Sequence, residues 1–294
     1  MTLSSLLPNL LLLALALVML GLGLSLRVED FRRLVHHPRA VGLALLLQMI
    51  LLPAVCWGLI VAFGLPPVFA IGLMLLAASP GGVSANLFSH LFGGNVALNI
   101  SLTAVNTVLS IVTLPLIANW AVQAFSSGAA AVPLQGGKVA EVIAIVLVPV
   151  ALGMFIAARR AGFAARMERP FKVFSAFVLA AFALIAIGRE WQALMASAAS
   201  LGGVVLAFNL ISLLSGYYLS RAAGLAPPLA TAISYEIGIH NSTLAIYIAL
   251  NVLKDFQMAL PAAVYSVSMY LVATAFGLLV LRRRKREPAQ LSAR

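Results

Sequence analysis

One carboxylate, Glu236, interrupts a long apolar stretch, in the run Glu236-Ile237-Gly238-Ile239-His240-Asn241-Ser242. The other seven acidic residues lie between apolar stretches or at their edges. Glu29, Asp30, Glu168 and Glu287 fall on one set of connections, Glu190 and Asp255 on the other, and Glu141 stands one turn inside a stretch, beside Lys138. A carboxylate at mid-depth in hydrocarbon costs several kcal/mol unless it is paired or coordinated, so such residues are read first as functional. Every Lys and Arg falls near the end of an apolar stretch, so none is placed to neutralise Glu236. Two states stay open for it: bound to a cation, or protonated and neutral. Sodium, a hard ion that prefers oxygen ligands as calcium and magnesium do, suits the Asn and Thr oxygens nearby.

The run around Glu236 has a counterpart. The stretch 67–92 opens with Gly64-Leu65-Pro66-Pro67 and breaks at Ser79-Pro80-Gly81-Gly82-Val83-Ser84-Ala85-Asn86. The stretch 227–251 opens with Gly224-Leu225-Ala226-Pro227-Pro228 and breaks at the Glu236 run. Both breaks contain glycine and end in asparagine. Such a matched pair is the pattern of an inverted-repeat transporter, whose sites form where two discontinuous helices meet at the midplane. Freed carbonyls and the negative ends of the first half-helices suit a cation; the positive ends of the second half-helices, here at Gly82, Val83 and Asn241, suit an anion. The bland alternative is that Pro80 and the glycines only kink two packing helices.

These breaks need elements to hold them. Of 294 residues 63% are hydrophobic and 9% charged, against roughly 25% charged in a soluble domain, and the mean hydropathy is +1.07. A water-soluble enzyme or a nucleic-acid binder is excluded as the main reading, and the single Cys56 offers neither a disulfide nor a thiolate metal site. The apolar runs predict an all-α polytopic membrane protein of about nine spans: 5–26, 40–63, 67–92, 95–125, 138–158, 171–188, 198–220, 227–251 and 258–281. No basic residue precedes the first run, which reads as a spanning helix rather than a cleaved leader. With nine spans, 16 of the 19 Lys and Arg residues fall on one face and 3 on the other, Lys138, Arg189 and Lys254. Positive residues collect on the cytoplasmic side, which puts the N-terminus outside and the basic tail 282–294 inside. The net charge of +11 is then explained by topology and anionic lipid, with no nucleic acid.

At these residues the chain resembles the bile acid:sodium symporter family, its bacterial members especially. The likeness runs from Gly21-Leu22-Gly23-Leu24-Ser25-Leu26, Asp30-Phe31 and His37-Pro38, through Ser79-Pro80-Gly81-Gly82 and Gly94-Asn95-Val96-Ala97-Leu98, to Glu236-Ile237-Gly238. It implies two inverted repeats, a panel domain and a core domain, with the family's first helix lacking so that nine remain. The whole chain, 1–294, is then one transporter domain. Its core comprises 40–125 and 171–251, with both broken helices, and the remaining helices form the panel. It also implies two sodium ions behind the crossing. The first would be held by Asn86, Asn99, Thr103 and Glu236, with Ala85 unable to offer a ligand. The second would be held by Gln48, Glu236, the carbonyls of Ile237 and Ile239, and the position of His240, where the family has glutamine. Histidine nitrogen is a poor sodium ligand, and imidazole titrates near ~6.5, so His240 stands either for a proton in place of the second ion or for a neutral structural residue. In the last helix the family's Trp-His-Asn falls on Ser268-Met269-Tyr270, so Met269 and Tyr270 change one wall of the substrate site while Asn241 is retained.

The function expected is sodium-coupled inward symport of a small organic anion, bile-acid-like or another carboxylate, across a bacterial cytoplasmic membrane by alternating access. Proton coupling through Glu236 and His240 is the alternative. An intramembrane enzyme is the rival of another class, and no nucleophile with its base, paired aspartates or His-Glu-x-x-His motif supports it. His36, His37 and His90 have no neighbours spaced as metal ligands, and Asn241-Ser242-Thr243 sits inside a span, where glycosylation does not reach. The pattern is compatible with a monomer and leaves the oligomeric state open.

Overall fold

A backbone in hydrocarbon must satisfy its N–H and C=O groups internally, and a helix does so within one segment. The computed structural model describes residues 3–125 and 136–291; these form helices, turns and one isolated antiparallel bridge, with no strand among them. In chain order the helices are α1 (Leu3–Ser25), α2 (Val28–Arg33), α3 (Pro38–Leu46), α4 (Leu52–Phe63), α5 (Pro67–Ala78), α6 (Val83–Leu91) and α7 (Val96–Phe125). They continue as α8 (Gly136–Arg159), α9 (Ala161–Arg189), α10 (Trp191–Ala196), α11 (Ala198–Ala222), α12 (Pro227–Gly238), α13 (Ser242–Tyr247) and α14 (Leu260–Leu291). A π-helical turn, Leu47–Leu51, joins α3 to α4, and a second, Ile248–Val252, follows α13. Among the described residues four helices are long and apolar enough to cross a membrane by length and composition: Pro38–Phe63, Val96–Phe125, Ala198–Ala222 and Gln257–Leu279.

Two boundaries differ from the expectation. The spans 138–158 and 171–188 leave the basic residues 159–170 between them as a connection, yet α9 begins at Ala161 and carries them as helix; α14 likewise continues through the basic run to Leu291. Ala, Arg, Met, Glu and Lys are good helix formers, so a helix leaving an apolar run propagates through charge when nothing stops it. The glycine-containing segment 126–135 and the end of the tail, Arg294 included, lie outside the described residues, as do the side chains of Lys138, Glu141 and Arg282 to Arg286.

Both interrupted stretches are entered by the same turn. Gly64 and Gly224 are left-handed, with φ of 59° and 78°, the backbone that glycine adopts without penalty at a helix end. In each, the following leucine donates back five residues: Leu65 N–H to the Ile60 carbonyl and Leu225 N–H to the Ser220 carbonyl, both at 3.0 Å. Proline then occupies the first turn of α5 and of α12, where its missing N–H leaves nothing unsatisfied.

The interrupted helices are the most enclosed elements. Phe69 to Ala78 of α5, Ala230 to Gly238 of α12 and the whole of α13 are buried, as exposed backbone at a break requires. α12 packs on α11, α7 and α6, while α5 packs on α7, α4 and α14. α1 packs mainly on α8 and α9. The α1–α8 crossing is close enough that a Cβ at Gly23 would strike the Val150 backbone and one at Gly153 the Leu20 carbonyl.

Candidate functional site

The two breaks meet. Gly81 and His240 form the antiparallel bridge, closed by Gly82 N–H donating to the Ile239 carbonyl at 2.7 Å and Asn241 N–H to the Pro80 carbonyl at 2.8 Å. Proline and glycine create the interruption, and each break satisfies part of the other's freed backbone. Tyr265 of α14 donates its hydroxyl to the Gly238 carbonyl at the end of α12, 2.8 Å away.

Glu236, in the last turn of α12, is fully buried against this crossing. Its carboxylate accepts from Thr103 Oγ1 at 2.6 Å and from Asn106 Nδ2 at 2.8 Å, both on α7. Gly81 lies on its other side, so close that a Cβ there would collide with both carboxylate oxygens. These donors are neutral, so they can solvate a carboxylate without balancing a charge on it. The first π-helical turn, α6 and α7 carry buried oxygens with no donor. Asn99 gives its Nδ2 to the Ala232 carbonyl at 2.8 Å, and its Oδ1 is buried without a partner, as are Asn86 Oδ1, Gln48 Oε1 and Asn106 Oδ1. Buried acceptors with no donor are rare because leaving one unmet costs about 1–3 kcal/mol. Amide oxygens of this kind have the chemistry of hard-cation ligands, so the residues present fit sodium.

The expected residues are thus distributed over one neighbourhood. Thr103 and Glu236 are in direct contact. Ile237 is in the last turn of α12, and the Ile239 carbonyl is engaged in the bridge. Gln48 sits in the first π-helical turn and donates Nε2 to the Ala77 and Ser79 carbonyls, at 3.3 and 3.1 Å. His240 is buried, stacks on Phe208, and places Nδ1 3.3 Å from the Ser79 carbonyl with Nε2 unpartnered. Asn106 escaped the sequence reading, although Asn99, Thr103, Asn106 and Ser110 recur at spacings of four, three and four on one helical face.

Both breaks border a cavity of about 720 Å³. Gly82, Val83, His240, Asn241, Met269 and Tyr270 all line it, with apolar side chains of α1 and α9 opposite. Asn241 caps α13 by accepting from Leu244 N–H at 3.1 Å, so its free group toward a ligand is the NH₂, a donor. Tyr270 shares a 3.0 Å hydrogen bond with Ser84 and stacks on Phe88. Among the described residues the lining holds no Asp, Glu, Lys or Arg, and Ser242 Oγ there is buried without a partner. Ser84 and Ser242 were not singled out from sequence.

Apolar spanning helices, two paired interruptions, a buried carboxylate held by Thr103 and Asn106 and a cavity lined by both breaks define a multi-pass helical membrane protein with a site at its helix breaks. The chain belongs to the sodium bile acid symporter family, whose model, described as the Sodium Bile acid symporter family, matches residues 12–197. That match contains the first interruption; Glu236 lies beyond it. The probable sodium/metabolite cotransporter BASS1, chloroplastic, of Arabidopsis thaliana is 30% identical over 250 residues, 83% of this chain and 59% of its own. The uncharacterized sodium-dependent transporter YocS of Bacillus subtilis (strain 168) is 26% identical over 244 residues, 83% of this chain and 74% of its own. The P3 protein of Homo sapiens is 29% identical over 223 residues, 76% of this chain and 46% of its own. The chain therefore spans from about half to about three quarters of the length of these relatives.

Proposed function

We propose that the protein is a sodium-coupled symporter that carries a small organic anion into the cell. The observation that carries this reading is the carboxylate of Glu236 held at the crossing of two interrupted helices that also border a large cavity, with buried Asn and Gln oxygens that have no donor. Asn86, Asn99, Thr103 and Glu236 hold the first ion, and Gln48 with the carbonyls of Ile237 and Ile239 belongs to a second, where His240 offers nitrogen instead of oxygen. The organic anion occupies the cavity, its acidic head toward Asn241 and the N-terminal ends of α6 and α13 at Gly82 and Val83, its body against Met269 and Tyr270. Sodium links the two because it balances Glu236 and tightens the crossing on which the anion rests.

The cycle is alternating access in a bacterial cytoplasmic membrane, with nine spans, the N-terminus outside and the C-terminus inside. The matching Gly-Leu-x-Pro turns at 64–67 and 224–227 support two repeats of opposite sense. The packing of α1 on α8 and α9 supports a panel of those three helices rocking against the rest, which moves 171–188 to the panel and α14 to the core. The test is uptake by proteoliposomes of radiolabelled taurocholate and of a set of small aliphatic and aromatic carboxylates and sulfonates. Accumulation of one of them under an inward sodium gradient, lost when potassium replaces sodium, is expected. Accumulation driven by a pH gradient without sodium would replace sodium by proton coupling, and none under either gradient would overturn secondary transport of this class.

A further inference from the structure

The large cavity is lopsided with respect to the two breaks. It follows α6 for two turns, where Val83, Leu87 and Phe88 line it, but it meets α13 only at Ser242 and Thr243. Leu87 is exposed, whereas Leu244 to Tyr247 of α13 and Ile248 to Leu250 of the π-helical turn after it are buried. α13 packs on α1 and α9, and that turn packs on α8; α6 packs on α12, α7 and α14. In the orientation proposed above α13 leads outward and α6 inward. The panel has therefore closed on the outer half-helix, while the inner one still borders the cavity.

One side-chain contact ties the two groups of helices at the closed end. Arg189, the last residue of α9, holds its guanidinium carbon 4.0 Å from the centre of the Phe256 ring. Phe256 caps the short 3-10 turn that leads into α14. The chain before it is tied back on itself, with Leu253 N–H donating to the Ile248 carbonyl and Asp255 N–H to the Ala249 carbonyl, both at 2.9 Å. Lys254 between them is left-handed, with φ of 58°. The Asp255 carboxylate accepts from the N–H groups of Gln257 and Met258 at 2.7 and 3.2 Å, which braces the turn from the other side. The ring is thus presented on a fixed turn, and the flat, weakly hydrated guanidinium takes its face. Arg189 is exposed and Phe256 half-buried, and a stack in that setting is weak enough to part in every cycle.

We propose that Arg189 stacked on Phe256 is the outer latch of the transport cycle: it joins the end of α9 to the root of α14 while the outer side is closed, and parts when that side opens. The latch rests on the alternating-access reading and the orientation given above. Neither partner is among the residues that line the cavity, so the latch sets which side the cavity faces without touching the organic anion or Glu236. Breaking it removes a contact made only in the outer-closed state, and the population moves toward the outer-open state by the free energy of that contact.

The test is side-specific labelling of a cavity cysteine, Val267→Cys in a Cys56→Ser background, by a membrane-impermeant methanethiosulfonate in intact bacterial cells and in inverted membrane vesicles. Val267 lines the cavity from α14. Arg189→Ala and Phe256→Leu should each raise the rate of labelling from outside about two- to fivefold and lower the rate from inside. The double variant should do no more than either single one, since both remove the same contact. Arg189→Lys, which keeps the charge and loses the flat fork, should fall between. If Phe256→Leu does not fold, Arg189→Ala decides alone. Unchanged rates in Arg189→Ala, or effects that multiply in the double variant, would overturn the latch. So would a cysteine protein that, with the latch intact, is labelled faster from outside than from inside. Labelling needs neither sodium nor an organic anion, so losing the latch leaves the symport reading intact, and that reading fails separately in the uptake assay above.

Discussion

At the scale of single residues, Glu236 organises everything around it. It is fully buried, its hydrogen-bond donors Thr103 and Asn106 are neutral, and Gly81 leaves it just enough space. Thr103→Val keeps the shape and removes one donor; a titration of sodium-dependent thermal stabilisation should show affinity lowered about tenfold. Gly81→Ala forces a methyl group into the carboxylate and should abolish the sodium response. Gly58→Ala, where a Cβ meets nothing within 4 Å, should instead leave it intact and stabilise α4 by roughly 0.5–1 kcal/mol, read as a small rise in midpoint. His240→Gln replaces a ring nitrogen by an amide that still donates to the Ser79 carbonyl and adds an oxygen. Sodium dependence of carboxylate binding should strengthen in this variant; equal sodium affinity in the two proteins would make His240 a structural residue stacked on Phe208.

At the scale of elements, the interruptions are stable because each break completes the other and α14 closes one of the remaining carbonyls. Tyr265→Phe leaves the Gly238 carbonyl without the hydroxyl donor, a cost of about 1–3 kcal/mol. The unfolding midpoint of the detergent-solubilised protein should fall by several degrees; an unchanged midpoint would show that the carbonyl finds another partner. Much of this level was legible in the sequence. The paired Gly-Leu and Pro-Pro openings, the Pro80-Gly81-Gly82 break and the lone carboxylate are local signals, and local signals survive in a single chain read alone. The donor Asn106, the closing Tyr265 and the Ser84–Tyr270 contact were not legible, because each depends on which residue of another helix arrives opposite. The start of α9 at Ala161 and the extension of α14 to Leu291 were missed for another reason: charge marks where hydrocarbon ends, not where a helix ends.

At the scale of the whole molecule, the cavity of about 720 Å³ lies where α1 and α9 face α6, α13 and α14, so relative motion of these two groups would open and close it. Leu184 and Val267 line it from opposite groups. A cross-link between cysteines at these positions, in a Cys56→Ser background, should stop carboxylate uptake in proteoliposomes while leaving the sodium-dependent shift in midpoint in place; uptake that persists would contradict the rocking of one group against the other. Family membership and the relatives' names agree with a transporter, but the physical claim beneath them is narrower: a sodium ion balances the carboxylate at the crossing. The most direct test is the thermal midpoint of wild type and Glu236→Gln titrated with sodium against potassium at constant ionic strength. The account predicts stabilisation of wild type by sodium and not by potassium, and a Glu236→Gln protein of normal fold that responds to neither. A Glu236→Gln protein that sodium stabilises as it does wild type would contradict it.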